Sequence, residues 1–299
     1  LDSKLSPLTF RSIQGLYAPG STFKMIVAIA GLHYGIIDQN TKHFCNGKVA
    51  LGDRLYHCWK NNGHSSMNVE KAIKESCDVF FYEISKKIGI DKIAEVAKDF
   101  GLGQIYNIPL NNQKKGIVPS KKWKKDNLGE VWYPGETLIS AIGQGFVLVN
   151  PLQLANMTSI IASEGKIVKP KIINDGITNT PKNINKYKNA IKIVKNSMFK
   201  VVNELQGTAY NSRLDKVKFS GKTGTSQVRR ITVAERESED FRKKEVEWKN
   251  RDHALFVGYM PYDNPKYSVS VVIEHGGSGA TAAAPIAKKL FQFINKENI

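Results

Sequence analysis

The segment Ala18-Pro19-Gly20-Ser21-Thr22-Phe23-Lys24 opens directly onto an apolar run, Met25–Leu32. That junction limits the folds open to the chain. An apolar stretch behind a Pro-Gly entry turn reads as the start of a helix, expected over Thr22–Tyr34. The run is far shorter than the 18 or more apolar residues that a membrane span needs, so a core must close around it. Positions i and i+3 share a helix face, so Lys24 is expected to reach Ser21. A serine hydroxyl is a weak nucleophile until a base takes its proton, and an unprotonated lysine amine can do so. The spacing alone decides little. Ser163-Glu164-Gly165-Lys166 and Ser197-Met198-Phe199-Lys200 repeat it, and both read as surface helix ends.

Two further motifs separate Ser21 from those repeats. Ser76-Cys77-Asp78 follows a helical stretch, Val69–Glu75, and leads into Val79-Phe80-Phe81-Tyr82. Lys222-Thr223-Gly224-Thr225 lies in a β-like run, where the glycine lets the backbone pass close to a ligand. The order Ser-x-x-Lys, Ser-x-Asp, Lys-Thr-Gly-Thr resembles that of the penicillin-binding proteins and serine β-lactamases. The resemblance extends from about Gly15 to the C-terminal helix, and it is tightest to the elongation subgroup of the class B penicillin-binding proteins. It includes Tyr17–Lys24, His57–His64, Trp132–Glu136, Ile142–Gly145, Pro151–Ala155, His275–Gly279 and Ala282–Pro285. Class B members outside this subgroup usually carry Asn where Asp78 stands, so Asp78 reads as a subgroup marker.

The resemblance implies an α+β transpeptidase fold: an antiparallel five-stranded sheet flanked by helices, beside a mainly helical lobe. It also implies a reaction. Ser21 would attack the penultimate D-Ala carbonyl of a peptidoglycan stem peptide ending in D-Ala-D-Ala, and an amine from a second strand would then attack the acyl-enzyme. β-Lactams would acylate the same serine. Lys24 would be the base, provided that burial, a helix N-terminus and the Lys222 cation disfavour its ammonium form. No Asp or Glu within the first motif opposes that shift. Ser76 would relay the proton, since a hydroxyl both donates and accepts, and Asp78 would hold the second motif or Lys24 in place. Lys222 and Thr225 would bind the terminal carboxylate, Gly224 would let substrate lie along the strand, and Thr223 would line or support that site. Gln144, between two glycines, would line the cleft or sit in an ordinary turn. The backbone N–H groups of Ser21 and Thr225 would form the oxyanion hole. A serine β-lactamase or a β-lactam-sensing receptor domain would share the same three motifs.

Cys45, Cys58 and Cys77 are the only cysteines, and His64 lies among them. Three thiolates and one imidazole make a complete tetrahedral zinc set. A Cys45–Cys58 disulfide or buried free thiols are the alternatives. The resemblance implies a zinc site near the second motif, with Cys58, His64 and Cys77 at matching positions. Cys45 is the open ligand, with His43 or Asp53 as substitutes. Such a metal would be structural.

With 41% hydrophobic and 24% charged residues, the 299-residue chain is globular and fits one domain, 1–299. The resemblance places the family's N-terminal membrane anchor and pedestal outside this segment. It implies a location on the periplasmic face of the inner membrane and a glycosyltransferase partner of the elongation machinery. The net charge of +17 raises nucleic-acid binding. The basic clusters are tied to no nucleic-acid motif, so a solvated lysine surface is expected instead.

Further helices are expected over Val69–Gly89, Lys92–Gly101, Pro151–Glu164, Asn189–Leu205 and Ala283–Lys296, and strands over Val217–Ser220, Ala254–Met260 and Tyr267–Glu274. Asn111–Gly135 reads as a long polar loop. Arg229–Asp252, with charges of both signs, reads as a solvated insertion or a hairpin over the cleft.

Overall fold

The computed structural model describes residues 6–173, 181–229 and 246–296. Helix α1 (Arg11–Gln14) precedes a 3-10 turn, Gly20–Phe23, which runs straight into α2 (Lys24–His33). Residues Lys24–Ala30 of α2 are wholly inaccessible to solvent. A helix apolar around its whole circumference can only be a core element.

The helix expected over Val69–Gly89 is two helices, α3 (Val69–Lys74) and α4 (Asp78–Ile88). The Cys77 N–H donates to Ala72 O and the Ser76 N–H to Ile73 O. This paired closure of a helix end needs a left-handed residue in the position usually held by glycine. Ser76 fills it with φ +58°. The break therefore lies on the second motif, and it lets Ser76 and Asp78 turn inward. Helix α5 (Ile90–Asp99) follows, and α2 packs against both α4 and α5.

Between α2 and α3 lie four short strands that the sequence did not announce: β1 (His43–Cys45), β2 (Lys48–Leu51), β3 (Arg54–His57) and β4 (Ser65–Met67). They pair as β1–β4 and β2–β3, both antiparallel. The polar loop expected over Asn111–Gly135 contains α6 (Lys121–Leu128). Its lysine-rich sequence hides a start and a stop signal: the Ser120 side chain caps the Trp123 N–H, and Gly129 ends the helix with φ +70°. Helices α7 (Pro134–Ala141) and α8 (Pro151–Ala162) follow, then the small pair β5 (Lys166–Ile167) and β6 (Lys182–Asn183) and the long α9 (Lys188–Asn203). Ser197, read as a surface residue, is buried inside α9.

The closing part is an antiparallel sheet, β7 (Ser220–Ser226), β8 (His253–Met260) and β9 (Tyr267–Ile273), followed by α10 (Ala284–Lys296). The expected strand at Val217–Ser220 starts later and takes in the whole third motif. Ala254–Met260 are all buried, although alternate residues face opposite sides. Both faces of β8 are therefore covered, and α8 and α10 pack against it. The described residues supply three of the five strands that the resemblance implied. Most of the charged stretch expected as an insertion, residues 230–245, lies outside the described residues. Among the described residues no helix is long and apolar enough to cross a membrane.

Candidate active site

The first motif sits where three backbone segments meet. In a 3-10 turn residues i and i+3 eclipse, which puts Ser21 and Lys24 on one edge. Gly20 has φ +54°, and its N–H donates to Gly143 O at 2.9 Å. A Cβ at Gly20 would run into the carbonyl oxygen of Thr225. One at Gly224 would sit 2.9 Å from Thr22 Cγ2 and 3.0 Å from Pro19 O. The glycines let β7 and the Gly143 loop close onto the Ser21 turn.

Ser21 is half-buried, and its hydroxyl makes no hydrogen bond to another described residue. The expected contact from Lys24 is absent. Lys24 is 0% exposed and instead donates to Asp78 Oδ1 at 2.7 Å, Ser76 O at 2.8 Å and Ser76 Oγ at 3.2 Å. An acid does contact the Lys24 amine, but it comes from the second motif rather than the first.

Lys222, also 0% exposed, donates to Ser76 Oγ at 2.9 Å and Thr223 O at 3.1 Å. Burial pushes its amine well below the ordinary lysine value. The nearby Lys24 charge pushes the same way, and Asp78 pulls back less strongly. Ser76 Oγ thus lies between two buried amines. The second oxygen of Asp78 accepts from the backbone N–H of Trp59 at 2.8 Å, and the Trp59 indole N–H reaches Ser76 O at 3.0 Å and Glu75 O at 3.1 Å.

On β7, Thr225 is exposed and its carbonyl accepts from Gln144 Nε2 at 3.0 Å. Gln144 is thereby brought against the third motif and is no idle turn residue. Thr223 is buried, and its hydroxyl pairs with that of Thr208 at 2.7 Å. Thr208 and Trp59 were not singled out from sequence. Trp59 could have been, since it follows a candidate metal ligand; Thr208 carries no local signal.

Cys45, Cys58, His64 and Cys77 converge in a second cluster under this site. All are buried, and their ligand atoms lie within 4.8 Å of one another. Cys45 closes β1, Cys58 follows β3, His64 precedes β4 and Cys77 precedes α4. The thiols are free, which removes the disulfide alternative. His64 Nδ1 lies 3.6 Å from Cys45 Sγ and 3.4 Å from Cys58 Sγ. A tetrahedral zinc with ordinary Zn–S and Zn–N bonds requires S···N edges of about 3.6 Å. The donor set and its spacing therefore fit that ion. His43 packs its ring on Phe80 and Asp53 is exposed, so neither replaces Cys45 in the cluster. A hydrogen bond from Cys77 holds the Cys58 thiol well below its usual range. Cys58 Sγ also accepts from the Asp78 N–H at 3.3 Å, which ties the cluster to the motif above it.

Comparison with known proteins matches residues 2–292 to the family model described as penicillin binding protein transpeptidase domain. The peptidoglycan D,D-transpeptidase MrdA of Haemophilus influenzae is 34% identical over 312 aligned residues, covering 100% of this chain and 47% of that protein. Among solved structures, the complex between penicillin-binding protein 2 and MreC from Helicobacter pylori superposes with a TM-score of 0.88 at 32% identity. It covers 99% of this chain and 52% of the other. Pseudomonas aeruginosa penicillin-binding protein 2 in complex with WCK 5153 gives 0.84 at 35% identity, over 97% and 63%. The chain spans about half the length of the curated relatives it matches.

Proposed function

This chain belongs to the penicillin-binding protein transpeptidase family, and on that footing we propose that it is the acyl-transfer domain of a peptidoglycan D,D-transpeptidase of cell-wall elongation. The observation that carries the reading is one hydroxyl, Ser76 Oγ, held by two fully buried lysine amines beside the Ser21 turn.

A serine nucleophile needs a neutral amine in reach, and Lys222 is the lysine whose surroundings favour that form. Lys24 passes a proton to Ser76 Oγ while Ser76 passes its own to Lys222. Lys24 becomes neutral and Lys222 charged. From the same edge of the 3-10 turn, Lys24 then takes the Ser21 proton as Ser21 Oγ bonds to the penultimate D-Ala carbonyl. Ser21 and Thr225 N–H groups receive the oxyanion, each donor contributing about 10²–10³ in rate. The C–N bond breaks, and the chain through Ser76 returns a proton to the departing D-Ala amine. Lys222, now cationic, and the Thr223 and Thr225 hydroxyls attract the terminal carboxylate. An amine of a second stem peptide attacks the ester by the reverse route, which restores Ser21. A β-lactam enters at the first step and stays as the ester.

The cysteine and histidine cluster would hold a structural zinc, clamping the β1–β4 segment onto the second motif. Its four protein ligands leave no open position for a water nucleophile. The Helicobacter pylori neighbour's complex with MreC supports an elongation-complex partner for the whole protein, with a membrane glycosyltransferase as a second. Work on peptidoglycan implies the periplasmic face of the inner membrane.

Mass spectrometry after incubation with a labelled penicillin tests the nucleophile. One adduct is expected on the parent and none on Ser21→Ala; an adduct on both would overturn the assignment. Fast steady hydrolysis of nitrocefin would indicate a β-lactamase instead. Acylation without product from a D-Ala-D-Ala donor and an amine acceptor would indicate a sensor.

A further inference from the structure

We infer that Trp59 is a positioning residue for acyl transfer, acting through Ser76 and Lys24; this rests on the functional reading above. Ser76 is a non-glycine residue in a left-handed conformation at the end of α3, a state that surrounding contacts must hold. Its carbonyl accepts two donors, the Lys24 amine at 2.8 Å and the Trp59 indole N–H at 3.0 Å. The indole also reaches Glu75 O at 3.1 Å, so it holds the carbonyls of both peptide units that flank the Ser76 Cα and set the direction of Ser76 Oγ. From the other side, the Trp59 backbone N–H holds the free oxygen of Asp78 at 2.8 Å.

Of the three acceptors around the Lys24 amine, Trp59 therefore shares one, Ser76 O, and holds the other oxygen of the carboxylate that supplies a second. A ring placed only to fill the core would be buried, yet Trp59 is 55% exposed. Its indole N–H is turned to the Glu75 and Ser76 carbonyls while the residue stays more than half exposed, so hydrogen bonding contributes to its place beside packing. The same loop, between β3 and β4, carries Cys58 and His64, whose ring lies 5.3 Å from the indole. Trp59 is thus a second link from the thiol cluster's loop to the proton chain, beside the Asp78 N–H to Cys58 Sγ bond.

The test substitutes Trp59→Phe, which removes the indole N–H and keeps an aromatic ring and the backbone bond to Asp78. Stopped-flow acylation with a labelled penicillin separates the noncovalent binding constant from the acylation rate constant. The rate constant is expected to fall about tenfold, the size of one net hydrogen bond, with binding within twofold, an unchanged melting temperature and unchanged zinc content. An acylation rate constant within twofold of the parent would overturn the inference. So would a loss confined to binding, which would make the exposed ring a substrate platform. If the Phe variant loses stability or metal, benzothienylalanine at position 59 replaces the N–H by sulfur at equal size and is judged by the same two constants. A parent chain that no penicillin acylates would overturn the functional reading itself, and this inference with it.

Discussion

Replacing Asp78 by Asn tests whether this position supplies a charge or merely a hydrogen bond. Asn keeps an oxygen for Lys24 and nearly the same volume, so packing is not at stake. Lys24 has 0% side-chain exposure and Asp78 11%, with the ion pair at 2.7 Å. Removing one partner of a buried pair costs about 3–5 kcal/mol, because the survivor stays buried without compensation. The retained oxygen places the expected loss near the lower bound, about 3 kcal/mol. With an m-value near 3 kcal/mol/M in urea, the unfolding midpoint should fall by about 1 M. A double-mutant cycle with Lys24→Met removes contributions unrelated to the pair, and its coupling energy should reach about 2 kcal/mol. The acylation rate should fall in the same variant, since the amine keeps a hydrogen-bond acceptor but loses the charge paired with it. A midpoint within 0.2 M of the parent (about 0.6 kcal/mol at that slope) and negligible coupling would refute the ion-pair argument. Asp78 would then be interchangeable with the Asn of other class B proteins.

Penicillin acylation should slow as pH falls through the depressed value of Lys222, because the neutral amine is consumed. The folded value lies below the unfolded one, so stability follows the same direction: its contribution is complete above the ordinary lysine value, about 10.4, and is lost as pH falls. Flat rate and urea-midpoint profiles in the parent, or the same slopes in Lys222→Met, would contradict this. Elemental analysis should find one zinc per chain, chelation should lower the melting temperature, and three thiols should become reactive to a thiol reagent only afterwards. Gly20→Ala should cost about 1–3 kcal/mol from its left-handed backbone alone. It should also cut acylation more than tenfold by forcing the Thr225 carbonyl away, so an Ala variant with parental kinetics would mean that β7 does not need this approach.

The three motifs and the α+β architecture were legible because each motif sits at a local signal: a Pro-Gly turn, a helix end, a β-like run with a glycine. What joins them was not. The meeting of Gly20, Gly143 and Gly224 is a long-range fit of backbone to backbone. The break at Ser76 was masked by good helix formers on both sides, since a serine in a glycine position gives no warning. Strands β1 to β4 are only 3–4 residues long and were lost for that reason. The cysteines and His64 suggested a ligand set, but only the pairing of β1 with β4 brings Cys45 and His64 together, through the His64 N–H to Cys45 O at 3.0 Å. Trp59 escaped notice because its role depends on a peptide unit 17 residues away.

Charge counting shows what the second motif's acid does to the two buried lysines. Two amines share one wholly buried space with Ser76 between them, and Asp78 is the carboxylate that contacts either. Charging both would leave an uncompensated buried cation, which is far more costly than a neutral amine. The carboxylate belongs to Lys24 by contact, and burial pushes the Lys222 amine well below the ordinary lysine value. The first motif holds no acid of its own, and the carboxylate that meets Lys24 lies 54 residues along the chain. A Lys222 amine whose ammonium form is disfavoured by burial also gives substrate a part in starting the reaction. A terminal carboxylate arriving at β7 favours a cation there, and Lys222 can gain that charge only by drawing a proton through Ser76 from Lys24. A D-Ala-D-Ala analogue whose terminal carboxylate is amidated should therefore acylate more slowly even at saturation, because the loss falls on the chemical step as well as on binding. A deficit confined to binding would mean that carboxylate and proton chain act independently.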